Sequence, residues 1–206
     1  IYTAYSKQKV AAESLFYQAG LRADAARIIG QHLAAGGHVS NLAAEVGRIR
    51  DGLAAIRSDY ANYPLLHYFV SSRPEQSLTR LLFVAQDLAL LLDTAVDPDE
   101  CIGVAELGTR SGLIHAAAAV QDGVAETLIR GGPDRVETGD PSPGDQVRWR
   151  ARFDSARAVL RESGVPVRED AAAAEEYVRR RGEWEPVLRE SARRLGEDWA
   201  EVIGRA

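Results

Sequence analysis

The apolar residues of this chain recur at helical intervals. Residues 6–19 are helical in pattern until Gly20, and residues 22–35 place Ile28, Ile29 and Leu33 together before the stop signal Gly36-Gly37. The two segments read as a helical hairpin. A third helix starts behind Ser40 or Asn41, either of which can cap it, and its apolar residues fall at Leu42, Val46, Ile49, Leu53, Ile56, Tyr60 and Tyr63, a spacing of 4, 3, 4, 3, 4, 3. Such a heptad rhythm makes a narrow seam that packs in a bundle or between subunits, and Leu42, Val46, Ile49, Leu53 and Ile56 are its candidate assembly residues. Gly47 and Gly52 lie off the seam, weaken the helix, and predict close approach by a neighbour. Pro64 ends the helix.

A fourth helix begins near Pro74 to Ser77 and carries Leu78, Leu81, Leu82, Ala85, Leu88, Leu92 and Ala95 on one side, with Phe83 and Leu90 on the other. A helix apolar nearly all round belongs in the centre of a domain. Arg80, Gln86 and Asp87 interrupt the uncharged run that a membrane span would need. Asp99 can cap a short segment to Leu107, and Thr109 a longer one with the stripe Leu113, Ala117, Val120, Val124 and Leu128. Residues 131–144 then hold four glycines and three prolines in fourteen positions, the clearest loop in the chain. Beyond it Trp149, Phe153, Ala156 and Leu160 share a helical face that stops at Gly164-Val165-Pro166. Asp170 caps a last long stretch through Tyr177, Trp184, Leu188, Leu195, Trp199 and Val202. Pro186 within that stretch clashes with the carbonyl of Gly182, so a kink or a break with restart is predicted. The fold class that emerges is all-α, a bundle of about seven to nine helices. An N-terminal bundle spans 1–130 and a C-terminal segment, 145–206, packs on it across the 131–144 loop; the two parts can equally form one domain.

Composition narrows the class without naming a chemistry. With 46 % hydrophobic and 27 % charged residues, the chain has the means to bury a core. A lone cysteine, Cys101, fits a reducing compartment. The chain opens on Ile1 and contains no methionine, so the expectation is an excised segment of a longer protein. The net charge of −5 is unevenly spread: residues 1–76 carry 8 basic and 6 acidic groups, 77–145 carry 4 and 12, and 146–206 carry 13 and 12. Arginines interleaved with carboxylates do not make the basic patch that nucleic acid requires, and no nucleic-acid partner is expected.

Tests for site chemistry return little. His32, His38, His67 and His115 have no Asp, Glu or His three or four residues away, the spacing a helical metal site uses, so no metal and no cofactor are expected. Asp93, Asp97, Asp99 and Glu100 read as a solvated acidic helix end. Gly108-Thr109-Arg110-Ser111-Gly112 lacks the phosphate-loop pattern and reads as a turn and helix start. Carboxylates shortly before Cys101 disfavour its thiolate, and no catalytic residue is assigned. The aromatic cluster Tyr60, Tyr63, His67 and Tyr68, with Trp184, fills a core corner at Pro64 or stacks on a ligand; the packing alternative is the simpler one for an all-α domain.

The run Asn62-Tyr63-Pro64-Leu65-Leu66-His67-Tyr68-Phe69-Val70-Ser71-Ser72, followed by Gln76-Ser77-Leu78 and a Leu/Ala helix ending Leu92-Asp93-Thr94-Ala95, resembles the cytoplasmic region of bacterial two-transmembrane, potassium-channel-like proteins. The turns at Gly20 and Gly36-Gly37, Gly164-Val165-Pro166, and Tyr177, Arg181, Trp184-Glu185-Pro186 and Leu195 extend the likeness over about residues 4–97 and 153–199. Arg48, Arg50 and Arg57 depart from it, standing where a more acidic, Trp-rich stretch belongs. The resemblance implies a non-catalytic regulatory or assembly domain, a homo-oligomer, and a place in the cytoplasm at the inner face of the cell membrane. A membrane-embedded pore region would precede Ile1, since neither a selectivity filter nor a membrane helix lies within the chain. Lys7 and Lys9, the only lysines, then face anionic lipid. The competing expectation is a stand-alone all-α small-molecule-binding module with its pocket near Tyr60, Tyr68 and Trp184.

Overall fold

Side-chain caps mark most of the helix starts. The fold comes from a computed structural model that describes residues 2–34, 38–69, 71, 73–101 and 108–204, the side chains of 108–110 excepted. Among these residues the chain forms eight α-helices: α1 (Tyr2–Ala19), α2 (Ala25–Leu33), α3 (Val39–Asn62), α4 (Leu78–Thr94), α5 (Gly108–Leu128), α6 (Pro143–Glu162), α7 (Ala171–Leu195) and α8 (Trp199–Val202). Short 3₁₀ turns at Pro64–Tyr68, Pro74–Gln76 and Pro133–Arg135 join them, with no strand among the described residues. The Asp24, Ser77, Ser142, Asp170 and Asp198 side chains accept backbone N–H groups at the starts of α2, α4, α6, α7 and α8. The all-α bundle predicted from periodicity is the fold observed. Gly36-Gly37, the segment expected to run on to Leu107, and Val70 and Ser72 lie outside the described residues, as does the side chain of Thr109, whose backbone already lies within α5.

Helix α4 is the axis of the bundle, buried without interruption from Leu78 to Leu92. One core joins it to Ile28 and Ile29 of α2, Leu42 and Val46 of α3, Leu113 and Val120 of α5, Trp149 and Phe153 of α6, and Tyr177 and Leu188 of α7. Residues on both sides of the 131–144 loop therefore share one interior. None of the described helices is long and apolar enough to cross a membrane.

Three expectations are corrected and one alternative is decided. Ser40 and Asn41 do not cap α3, because the helix has already begun at Val39 behind an extended His38 that makes no side-chain cap bond. The seam Leu42, Val46, Ile49, Leu53 and Ile56, offered either to the bundle or to a second subunit, packs within the bundle, buried in the core of the same chain. Close approach does not explain Gly47 and Gly52: a Cβ at Gly47 would meet nothing within 4 Å, and one at Gly52 only Ala11 Cβ at an ordinary 3.9 Å. Finally, α7 runs through Pro186 unbroken. The Gly182 carbonyl that Pro186 cannot satisfy accepts the Gly139 N–H at 3.1 Å instead. That bond pins the glycine- and proline-rich loop to α7. It also explains the glycine, since a Cβ at Gly182 would stand 2.3 Å from Gly139 O.

Candidate functional site

A charged centre lies where α4, α6 and α7 meet. Asp87, Arg181 and Glu185 are each 1 % exposed, a state such groups reach only when paired and hydrogen-bonded. Asp87 is the one carboxylate of the buried face of α4. Its Oδ1 accepts from Tyr177 Oη at 2.6 Å and Arg181 Nη1 at 2.6 Å, and its Oδ2 from Arg152 Nε at 2.9 Å. The i,i+4 spacing along α7 stacks Tyr177, Arg181, Glu185 and Arg189 on one side of the helix. Arg181 Nε donates to Glu185 Oε2, while Glu185 Oε1 accepts from Arg148 at 2.7 Å, Trp149 Nε1 at 2.8 Å and Arg189 at 3.0 Å. Two guanidinium groups lie against the Phe83 ring, Arg152 at 4.6 Å and Arg181 at 4.9 Å from its centre.

The electrostatics follow from these contacts. Burial acts to raise the Asp87 pKa, but the Arg152 and Arg181 charges and the Tyr177 hydrogen bond outweigh it and hold the carboxyl below its ordinary value. Glu185 is lowered in the same way: burial opposes, and Arg181, Trp149 and Arg148 prevail. Asp24 goes the other way, raised by burial against the Arg152 charge. A cleft of about 480 Å³ opens beside the centre, with Arg22, Asp24, Arg148 and Arg152 among its walls. Arg152 also donates to Ala23 O at 2.7 Å and Ile203 O at 3.3 Å, so it ties the α1–α2 turn and the C-terminal turn to α4. Both carboxylates stay ionised with their oxygens occupied, which suits a clamp between helices better than a proton-transfer group.

The sequence-level candidates fall into two groups. Tyr60 and His67 pack edge to face at 4.4 Å, Tyr60 Oη donates to Gln8 Oε1 at 2.9 Å, and burial lowers the His67 pKa. Tyr63, Leu65, Tyr68 and Phe69 are exposed instead, at 42, 62, 64 and 45 %. The corner at Pro64 is thus core on one side only. Trp184 is not part of it: its ring contacts Phe83 at 5.9 Å and the Arg181 guanidinium at 5.1 Å, so the pocket expected from Tyr60, Tyr68 and Trp184 together is not formed by these contacts.

Two further features escaped the sequence. An apolar groove of about 480 Å³ separates α1 from α3. Glu197 is half-buried, accepts the Thr79 hydroxyl, and is pushed up by burial to about 7. Comparison of the chain with protein-family models, with curated proteins and with solved structures finds no match.

Proposed function

We propose that the chain is a non-catalytic regulatory and assembly domain of a bacterial potassium-channel-like membrane protein, docking through the corner from Tyr63 to Phe69. One observation carries this reading. The segment that bears the resemblance turns Leu65, Tyr68 and Phe69 to solvent, while Leu66 between them is buried in the core. In a 3₁₀ turn residues three apart eclipse one another, so Leu65 and Tyr68 stand on the same side, both more than 60 % exposed. Phe69 adjoins them and packs on Tyr5 of α1 at 5.3 Å between ring centres. Exposed apolar residues gathered on one small turn mark an interaction surface. The partner proposed is a second copy of the same chain, in keeping with the symmetry of a channel-like assembly.

Sedimentation equilibrium tests it. The wild-type chain is expected to show a mass that climbs with concentration above the 22.4 kDa of one copy. A Leu65→Ser, Tyr68→Ser variant should remain at one copy with unchanged helicity and melting temperature. A wild-type chain that stays monomeric at every accessible concentration, or a variant that associates equally well, removes the corner as an assembly surface.

A specific observation also favours the second reading, an all-α module that binds a small molecule. It is the α1/α3 groove, whose volume falls in the range of ligand pockets. The groove is separate from the exposed corner.

A further inference from the structure

The groove exists because the residues facing each other across α1 and α3 are small: Ala11 and Ser14 on one helix, Gly52 on the other. Its floor is aliphatic, made by Leu15, Ile49, Leu53 and Leu81. Such a surface alone says nothing about an occupant. Glu45 does. It lines the groove, is only 2 % exposed, and its Oε1 has no hydrogen-bond partner. A buried carboxylate oxygen without a donor is rare in a folded protein and calls for one.

The surrounding charges restrict what that donor is. Glu45 Oε2 is already paired with the guanidinium of Arg48, so the carboxylate has its counter-charge and Oε1 lacks only an N–H or O–H. An ammonium there would set a second cation beside Arg48 in an apolar site, at a desolvation penalty. A carboxylate head would face Glu45 itself. The remaining cation of the groove, Lys7, is engaged with Asp59 at 3.6 Å. We infer that the α1/α3 groove binds a neutral aliphatic molecule with a hydroxyl head, its chain on Leu15, Ile49, Leu53 and Leu81 and its O–H donating to Glu45 Oε1. This inference rests on the small-molecule reading and names the ligand class for it.

The test uses two probes of equal heavy-atom count on the full chain. 1-Octanol carries the donor, and 1-methoxyheptane has the same oxygen without it. Isothermal titration is expected to give saturable one-to-one binding of 1-octanol, at least about tenfold tighter than 1-methoxyheptane, because a hydrogen bond to a charged acceptor is worth that factor or more. Glu45→Leu should erase the preference while keeping binding of both. Gly52→Leu should abolish binding of both without lowering the melting temperature, since its Cβ meets only Ala11 at 3.9 Å and leucine is the better helix former. Equal affinity for the two probes overturns the hydroxyl assignment and leaves the module. Absence of saturable binding by either probe overturns both. A wild-type dimer that Gly52→Leu converts to monomer means a second copy covers the groove, which also overturns the inference.

Discussion

Replacing Asp87 with Asn keeps the size of the side chain and removes its charge from the centre where α4, α6 and α7 meet. The amide oxygen can still accept from Tyr177 and Arg181, but its NH₂ then faces Arg152 Nε, which now donates to Asp87 Oδ2 at 2.9 Å. Removing one partner of a buried ion pair costs about 3–5 kcal/mol because the other charge is left uncompensated. Here the lower end applies. Arg181 keeps Glu185, and Arg152 keeps the carbonyls of Ala23 and Ile203. A loss of ~3 kcal/mol is a large part of the ~5–15 kcal/mol by which domains are stable. With a urea m-value of ~2–3 kcal/mol/M, the midpoint of urea unfolding at pH 7 should fall by ~1–1.5 M. The Asp87→Asn, Arg181→Met double variant should cost less than the sum of the single changes by at least ~1 kcal/mol, as contacting residues do. A midpoint within ~0.2 M of wild type for Asp87→Asn, or strict additivity in the cycle, refutes the view that this pair clamps the helices.

Two other perturbations have definite signs. Gly182→Ala would put a methyl 2.3 Å from Gly139 O and drive the loop off α7, so limited trypsinolysis should cut after Arg135 faster than in wild type; an unchanged rate shows the tether to be inconsequential. Glu197, with a folded pKa near 7 against 4.5 for the free group, binds more protons folded than unfolded, so its stabilisation is full below about 4.5 and is lost as pH rises through 7. The loss is at most ~3 kcal/mol, since a pKa unit corresponds to about 1.36 kcal/mol and the group is half-buried. Chemical denaturation at pH 5 and pH 8 should show it, and Glu197→Gln should flatten this fall; an unchanged slope in the variant assigns the pH dependence elsewhere.

The helices were legible because each depends on local signals. Asp170 caps α7 as its place before the Ala run implied, Ser77 caps α4, and the all-round apolar surface of α4 predicted its central position. What escaped depends on residues far apart in the chain. Asp87 in the sequence only broke an apolar run; its partners Arg152, Tyr177 and Arg181 lie at least 65 positions away. A signal was present all the same, for a carboxylate alone on the buried face of an apolar helix requires a cation opposite it. The i,i+4 ladder on α7 supplied that cation, together with Glu185. Likewise Pro186 singled out the Gly182 carbonyl as the place where a kink or break was expected, but the donor from Gly139 that this carbonyl accepts came from another part of the chain. The corner at Pro64 divided into buried Tyr60 and His67 and exposed Leu65 and Tyr68 because a 3₁₀ turn there changes which residues share a side.

The proposed function is tested most directly by sequencing the gene upstream of the Ile1 codon. The account predicts two apolar spans of ~20 residues, in frame, flanking a filter sequence of the potassium-channel kind. An initiator methionine immediately before Ile1 would contradict it.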